Sequence, residues 1–298
     1  MAARKKRSTG RKPTRRSDTG RSASPKPRPA GKKGRPARRS PAVKVTPAKG
    51  LAPSPDGLIR LNRFLADAGI CSRRAADELI ATGRIAIKGE VVVELGVRVD
   101  PMSTEVFFDG QPVRREKKVY VLYNKPKHVV CTNAAGDAGR RVIDFLPKLR
   151  GRVYAAGRLD AESEGLLLLT NDGDLAQAVT HPSHGITKTY AVVIKGRVDE
   201  DGLKKLRKGV WLSEGKTIGA LIKVERRSRD RSYMKVTLRE GRNREIRRIF
   251  ARVGHSVLSL KRIRIGRLNL HGLSSGKYRF LRPDEVKDLR ADAGRSSD

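Results

Sequence analysis

The pattern of hydrophobic and polar positions divides the chain near residue 57. Residues 1–50 contain no Leu, Ile, Phe or Tyr, whereas apolar residues after Leu58 recur with the periods of helices and strands. A segment without large apolar side chains cannot bury enough surface to offset the entropy lost on ordering its backbone. We therefore predict a disordered tail over residues 1–56 and an ordered body after it.

The first ordered elements are predicted to be two helices and a β-hairpin. The first helix has apolar residues on one face and ends at a glycine. The second helix begins after the N-cap Ser72 and extends to Ala81, because a serine hydroxyl commonly accepts a hydrogen bond from the first turn. Residues 84–89 and 90–93 follow as two paired strands. The apolar face of the first helix consists of Leu61, Phe64, Leu65 and Ala68.

A larger domain is predicted over residues 119–288, after a linker at residues 106–118 that contains an Asp109-Gly110 turn. Strand-like runs outnumber helical segments in it, which favours an α+β fold around a mixed, mainly antiparallel sheet. We expect residues 289–298 to form a flexible C-terminus. The predicted strands cover residues 119–123, 153–156, 166–169, 189–194, 218–224, 233–238 and 257–265. The predicted helices cover residues 174–180, 199–208 and 243–253.

The charge of the chain predicts a polyanionic partner. The net charge is +36, and residues 1–50 hold 18 Lys or Arg against one acid, Asp18. Nucleic acid and an acidic membrane are the two classes of partner that such a charge attracts. For the tail we favour a nonspecific nucleic-acid arm over a solubilising linker or an organellar transit segment, because dense Lys and Arg release counterions from phosphate.

Membrane proteins and disulfide-rich secreted proteins are disfavoured. The sequence has no run of 18 apolar residues, and no apolar segment follows the basic N-terminus as it would in a secretory signal. Cys71 and Cys131 are the only cysteines and do not form a C-x-x-C motif. His181 and His184 lack the further ligands that a zinc site needs, so we expect no metal. We expect a cytoplasmic protein that makes no membrane contact.

Basic residues cluster on the polar side of the two helices and the hairpin. They are either the solvated face of a small capping subdomain or a surface that docks on RNA. Phosphate contacts from such residues position a module on structured RNA without reading its sequence. The set consists of Arg60, Arg63, Arg73, Arg74, Arg84 and Lys88.

An Arg–Asp pair stands directly before the most apolar run of the chain. Arg158 and Asp160 precede the run Leu166–Leu169, which must be buried on both faces of a sheet, so the loop carries Asp160 at the edge of the core. An Arg–Asp pair on a loop is usually structural. A buried carboxylate with a cationic partner can also act as a nucleophile, and Arg158 can keep Asp160 ionised.

Residues 57–105 resemble the alpha-L RNA-binding motif, which implies RNA binding through the basic residues named above. The order and spacing of three pieces carry the resemblance. They are Arg60-Leu61-Asn62-Arg63-Phe64-Leu65-Ala66, then Cys71-Ser72-Arg73-Arg74-Ala75-Ala76, then Gly83-Arg84-Ile85-Ala86-Ile87-Lys88-Gly89.

The ordered chain as a whole resembles bacterial ribosomal pseudouridine synthases of the RsuA/RluB type. The segment at 146–151 is more similar to the large-subunit RluB branch. The motifs that carry the resemblance are Gly157-Arg158-Leu159-Asp160, Lys188-Thr189-Tyr190 and Glu240-Gly241-Arg242-Asn243-Arg244-Glu245-Ile246-Arg247-Arg248. The resemblance implies that a uridine in ribosomal RNA is isomerised to pseudouridine, and that no cofactor or metal is needed.

The same resemblance implies catalytic roles. Asp160 matches the nucleophile and Tyr190 matches the aromatic residue that stacks on the flipped base. Arg247 matches the basic partner of the aspartate, with Arg158 beside it. The basic and polar residues nearby are expected to contact RNA. Taken without the resemblance, such a set on a helix is more often a phosphate-binding face than a catalytic element. These nearby residues are Lys188, Arg242, Asn243, Arg244 and Arg248.

Two other functions compete with the enzyme. A noncatalytic ribosome-assembly factor would keep the RNA-binding module and would not need Asp160, and a histone-like DNA-compacting protein would depend on the tail. We expect a monomer whose substrate is large-subunit ribosomal RNA, free or within an assembling ribosomal subunit, with small-subunit RNA left open.

Overall fold

The computed structural model describes residues 57–133, 139–147, 149 and 151–294. The predicted tail over residues 1–56 lies outside the described residues and stays a prediction. Within the described ranges, no helix combines the length and the apolar character needed to cross a membrane.

The N-terminal residues form two helices, a small antiparallel sheet and a short two-stranded ladder. The elements are β1 (Ile59–Arg60), α1 (Leu61–Asp67), α2 (Arg73–Ala81), β2 (Ile85–Ile87), β3 (Glu90–Val92), β4 (Arg98–Val99), β5 (Val106–Phe108) and β6 (Gln111–Pro112). The sheet has the order β3-β2-β5-β6, and β1 pairs with β4. Leu61, Phe64 and Leu65 of α1 are buried in the core as their spacing predicts. Ser72 caps α2, since its hydroxyl accepts a hydrogen bond from the Ala75 amide at 3.2 Å.

The structure corrects the linker predicted at residues 106–118. Its first half forms β5 and β6, and β5 pairs with β2 in the small sheet. The turn between β5 and β6 is the predicted Asp109-Gly110, with φ values of +48° and +79°. Positive φ at both positions fits the twist of a two-residue hairpin. Strands of two and three residues are too short for their alternation to be recognised in the sequence.

The C-terminal part is built on one large sheet with helices packed against it. Its strands are β7 (Tyr120–Lys125), β8 (Tyr154–Ala156), β9 (Glu164–Thr170), β10 (Lys188–Lys195), β11 (Trp211–Leu212), β12 (Gly215–Lys216), β13 (Leu221–Arg227), β14 (Arg231–Leu238), β15 (Val257–Ile265), β16 (Leu268–Asn269) and β17 (Tyr278–Phe280). Its helices are α3 (Gly173–Thr180), α4 (Glu200–Lys208), α5 (Glu245–Arg252) and α6 (Pro283–Gly294). Two 3-10 turns cover Val142–Phe145 and Pro182–His184.

The large sheet is mixed and mainly antiparallel, which confirms the predicted α+β class. Its order is β13-β14-β10-β15-β9-β7-β17, with β8 paired to β9 and β16 paired to β15. The contact between β9 and β15 is the parallel one among these paired strands. β11 and β12 form a separate hairpin.

The leucine run in β9 is buried on both faces, as predicted. Leu166, Leu167, Leu168 and Leu169 each have no exposed surface. Leu166 and Leu168 pack in one core with α3, and Leu167 and Leu169 pack in a second core on the opposite face. A third core surrounds α4 and α5. Because side chains alternate along a strand, β9 joins the first two cores and fixes the loop that precedes it.

The structure also corrects the flexible C-terminus predicted at residues 289–298. Helix α6 continues to Gly294, and Leu289 and Ala293 are buried in the core that contains α3. Their spacing of four residues places them on one helical face. Residues 295–298 lie outside the described residues.

Gly165 at the start of β9 is required by the close approach of β15. Its φ is +107°, and a Cβ atom placed on it would lie 2.2 Å from the carbonyl oxygen of Arg262. Gly165 and Arg262 are partners in the parallel ladder. A side chain here would therefore force the backbones of β9 and β15 apart, because the atoms that it meets belong to the backbone and not to a flexible side chain.

We predict that Gly165→Ala lowers the thermal unfolding temperature far more than Gly215→Ala. Gly215 has nearly the same φ, +108°, but no atom lies within 4 Å of the point where its Cβ would stand. The loss of stability in Gly215→Ala therefore measures only the cost of placing a side chain on this backbone conformation, about 1–3 kcal/mol. The additional loss at Gly165 measures the clash with β15. Equal losses in the two variants would show that the strand contact contributes nothing.

Candidate active site

The loop between β8 and β9 carries Asp160 and is held by hydrogen bonds at several points. The Ser163 amide donates to the Asp160 carbonyl at 3.0 Å, which closes a turn within the loop. The His128 amide, just after β7, donates to the Ala161 carbonyl at 2.8 Å. Gly157 allows the chain to leave β8 with a φ of +80°. One hydrogen bond within the loop and one from His128, after β7, therefore fix its position.

Lys125 reinforces this attachment from inside the core. Its side chain is completely buried, and its Nζ donates to the carbonyl oxygens of Pro126 at 2.9 Å, Val129 at 2.8 Å and Ala161 at 3.3 Å. Burial lowers the pKa of Lys125. The three carbonyl groups compensate for lost hydration, and the ammonium group links the end of β7 to the loop that carries Asp160.

Asp160 forms an ion pair with Arg244. Arg244 Nη1 lies 3.3 Å from Asp160 Oδ2, and about one third of the Asp160 side chain is exposed, 31%. Arg244 is the residue before α5 and has left-handed backbone conformation, with φ of +48°. This conformation at the helix N-terminus directs the guanidinium towards the loop rather than along the helix.

The structure thus places Arg244, and neither Arg247 nor Arg158, in the ion pair with Asp160. Arg247 lies on the side of α5 that faces β15, where its Nη1 donates to the Val257 carbonyl at 3.1 Å. Arg158 lines the cavity beside Asp160. The arginine that contacts Asp160 in the structure is not the one that the motif indicated, because the left-handed turn at residue 244 cannot be seen in the sequence.

Asp160 and Tyr190 face the same cavity, as predicted. The cavity has a volume of about 150 Å³. An engineered cavity of this size in another protein binds benzene, so one six-membered ring fits. Apolar walls are provided by residues from α3, α5 and the sheet. They are Val179, Leu238, Ile246, Leu260 and Ile265.

Three charged side chains also line this cavity although each is buried. Lys188, Glu245 and Arg262 are 7%, 4% and 5% exposed. Lys188 lies two residues from Tyr190 on the same face of β10. Arg262 Nε donates to the Leu166 carbonyl at 2.7 Å, and Glu245 Oε2 accepts from the Arg242 amide at 2.9 Å.

Burial shifts the pKa values of two of these groups towards neutrality. Desolvation, with a contribution from Arg262, lowers the pKa of Lys188 to about 8. Desolvation, with the Glu240 carboxylate nearby, raises the pKa of Glu245 to about 7, against the stabilising Arg242 amide. Perturbed pKa values in a cleft are typical of functional sites.

The sequence analysis gave no role to Glu245, Arg262 or Lys125. A signal was present for Arg262, a charged residue at an inward position of β15 between the buried Leu260 and Ile265. Glu245 had no comparable signal, since the first turn of a helix is an ordinary place for an acid.

The predicted RNA-binding residues of the N-terminal part differ in their surroundings. Arg60, Arg73, Arg74 and Lys88 are exposed. The two others take part in ion pairs: Arg63 bonds Asp174 of α3 at 2.5 Å, and Arg84 bonds Asp109 while lying over the Phe108 ring.

Two of the predicted RNA-binding residues around α5, Arg242 and Arg248, make hydrogen bonds within the protein. Arg242 donates to the Gly215 and Lys216 carbonyl groups at 2.7 Å each. Arg248 bonds Glu214 at 2.5 Å. These contacts hold the β11–β12 hairpin over α5. Asn243 is exposed at the mouth of the site.

In the part of the chain that the structure describes, no group of three or more His, Cys, Asp or Glu could hold a metal ion.

Comparison with protein families gives two matches. Residues 119–252 match the family of RNA pseudouridylate synthases, and residues 59–104 match the S4 domain. These matches confirm the predicted resemblance to pseudouridine synthases and the predicted N-terminal RNA-binding motif.

Individual relatives are similar over most of the chain. The ribosomal large subunit pseudouridine synthase B of Bacillus subtilis is 45% identical, with 78% of this chain and 96% of the relative covered. The protein of the same name from Yersinia pestis is 40% identical, with 74% and 72% covered. A crystal structure of a pseudouridylate synthase is 31% identical and has a TM-score of 0.56, with 78% and 99% covered.

We predict that Glu245→Gln flattens the pH dependence of stability. Because the fold raises the pKa of Glu245, the protonated form contributes stability that is complete below the ordinary pKa of 4.5 and is lost as the pH rises through about 7. Gln cannot ionise, so the variant should lose less unfolding temperature than the wild type between about pH 5 and about pH 8.

Thermal unfolding across this range is the measurement, and Glu225→Gln, an exposed position on β13, is the control that should follow the wild type. Parallel curves for Glu245→Gln and the wild type would contradict the assigned shift.

Proposed function

Since the chain belongs to the RNA pseudouridine synthase family, we propose that it isomerises one uridine of large-subunit ribosomal RNA with Asp160 as the catalytic carboxylate. The observation that carries the proposal is that Asp160, held by Arg244, and Tyr190 face one cavity that fits a single ring. The names of the Bacillus and Yersinia relatives support large-subunit RNA as the substrate.

The reaction requires one bond of the nucleotide to break and another to form. The C1′–N1 bond breaks and its electron pair leaves with the uracil ring, while Asp160 compensates the positive charge at C1′ through its carboxylate. The ring turns, its C5 atom bonds C1′, C5 loses a proton and N1 gains one. No atom is gained or lost overall and no redox change occurs, so the reaction is balanced without a cofactor.

Tyr190 and Arg244 prepare the site for this chemistry. The Tyr190 ring offers a stacking surface to a base that has left the RNA helix, worth about 1–3 kcal/mol per stacked base. Arg244 contacts the Asp160 carboxylate and holds it at the edge of the cavity. The apolar walls of the cavity provide a nonpolar surface beside the stacked base.

The N-terminal part supplies the docking surface. Arg63, Arg73 and Arg152 line a cleft between this part and α3. Arg63 is paired there with Asp67 and Asp174, which leaves Arg73 and Arg152 as the cations of the cleft that could contact phosphate. Positive groups in a cleft of this kind bind phosphates without reading sequence. We assign residues 57–112 to the RNA-binding module, residues 119–294 to the catalytic domain and residues 1–56 to a basic arm. The enzyme is assigned to the cytoplasm as a monomer acting on ribosomal RNA, free or in an assembling subunit.

Mapping of pseudouridines across both ribosomal RNAs tests the substrate and the nucleophile together. Cells lacking the gene should lose one large-subunit site. The wild-type gene should restore it, and Asp160→Asn should not, because the amide cannot compensate charge at C1′. Asp201→Asn, which changes an exposed acid on α4, is the matched control and should restore the site fully.

Each other outcome has a definite meaning. Loss of a small-subunit site would replace the proposed substrate. Restoration by Asp160→Asn would remove Asp160 from the mechanism. Unchanged pseudouridines in both RNAs would favour the noncatalytic assembly factor.

We predict that replacing Arg244, which precedes α5, and replacing Arg247, which lies within it, affect the reaction rate and the stability differently. Arg244→Met removes the ion pair and is expected to slow single-turnover modification at least tenfold with little change in unfolding temperature. Arg247→Met removes the hydrogen bond to Val257. It is expected to lower the unfolding temperature more than Arg244→Met does and to slow the reaction less. A larger rate loss for Arg247→Met would reverse the assignment.

A further inference from the structure

The wall of the cavity contains charged groups whose hydrogen bonding is incomplete. Glu245 Oε1 and Arg262 Nη2 are buried and have no hydrogen-bond partner among the described residues. Lys188 Nζ makes no hydrogen bond or ion pair within the same ranges. Buried polar groups in native proteins are nearly always paired, so these two unpaired atoms, with the buried Lys188 beside the same cavity, indicate a place where a ligand binds.

These groups surround the place where the target base stacks. Lys188 and Tyr190 share one face of β10, and Arg262 is the register partner of Tyr190 on β15. Glu245 follows Arg244, which holds Asp160, so the acid lies on the wall next to the reacting sugar. Other charged groups of the cavity wall have partners within the protein, since Arg244 pairs with Asp160 and Arg242 donates to backbone carbonyl groups.

The donors and acceptors match the imide edge of uracil. That edge presents a carbonyl oxygen, the N3–H group and a second carbonyl oxygen. The unpaired Oε1 of Glu245 can accept a hydrogen bond, and Lys and Arg only donate hydrogen bonds. We propose that Glu245 accepts the N3–H of the target uracil while Lys188 and Arg262 donate to its two carbonyl oxygens.

The turn of the ring during the reaction preserves this set of contacts. To exchange N1 for C5, the uracil rotates by half a turn about the axis through N3 and C6. This rotation leaves N3–H in place and exchanges the two carbonyl oxygens. One acceptor flanked by two donors therefore binds the ring equally before and after the turn. While the ring is detached, its negative charge resides partly on the same oxygens, next to the two cations.

The contacts also explain how cytosine is rejected. Cytosine has an acceptor at N3 and an amino donor where uracil has O4. The N3 lone pair would face the Glu245 carboxylate and the amino group would face a cation. A site built for hydrogen bonding rejects a base that leaves its buried groups unpaired more strongly than an apolar pocket does.

Single-turnover rates on a fragment of the mapped RNA test the assignment, which rests on the proposed function. The fragment carries uridine, 3-methyluridine, 2-thiouridine or 4-thiouridine at the target position. Lys188→Met and Glu245→Ala should each slow the uridine reaction about 10–100-fold, as expected for lost hydrogen bonds to charged groups. Lys195→Met at the exposed end of β10 and Glu225→Gln are controls and should stay within about twofold of the wild type.

Modified bases distinguish a direct contact from a structural role. The wild type should react poorly with 3-methyluridine, whereas Glu245→Ala should use it about as well as uridine. Both thio-substitutions should slow the wild type to a similar degree, because each sulfur meets both cations in turn. Both thio-substitutions should slow Lys188→Met less than they slow the wild type. Unfolding temperatures of all variants identify any that fail to fold, and Lys188→Met then carries the test without Glu245→Ala.

The inference is overturned if the variants discriminate among the bases as strongly as the wild type does. The proposed function fails separately, if the wild type forms no pseudouridine in the uridine fragment.

Discussion

The active site depends on the parallel contact between β9 and β15. At this contact the backbone of Gly165 approaches the Arg262 carbonyl so closely that no side chain can intervene. The same pairing brings Arg262 to the cavity and places the loop with Asp160 at the start of β9. β10, β14, α3 and α5 provide further walls of the cavity. A local requirement for one glycine thus aligns the residues that lie far apart in the sequence.

The sequence predicted those features that arise from local periodicity. The bounds of β15 were predicted at residues 257–265, and burial of the leucine run on both faces followed from its composition. Asp160 and Tyr190 were expected in one site from the family resemblance, and the structure brings them together. The β5–β6 hairpin was missed because its strands are very short. The choice of Arg244 over Arg247 depended on a left-handed residue before α5, which only the folded chain defines.

Two kinds of buried charge occur around the site, and they differ in how they are compensated. Lys125 is fully enclosed, and three carbonyl groups replace its water shell. Lys188, Glu245 and Arg262 are enclosed without a complete set of partners among the described residues. The first arrangement favours a rigid fold, whereas the second lowers stability in the absence of RNA. Natural proteins commonly retain such unfavourable groups where function requires them.

The attachment of the catalytic loop has a consequence for how RNA is selected. With Lys125 and the His128 amide both bonded to the Ala161 carbonyl, the loop has little freedom to move towards a base. The geometric adjustment must therefore come from the RNA, whose target nucleotide has to leave its stack. Unstacking is least costly at mismatched, looped or single-stranded positions. On the proposed function, selection of the target then depends on the mechanics of the RNA strand, and a uridine in a stiff duplex is expected to react more slowly than one in a loop with the same neighbouring sequence.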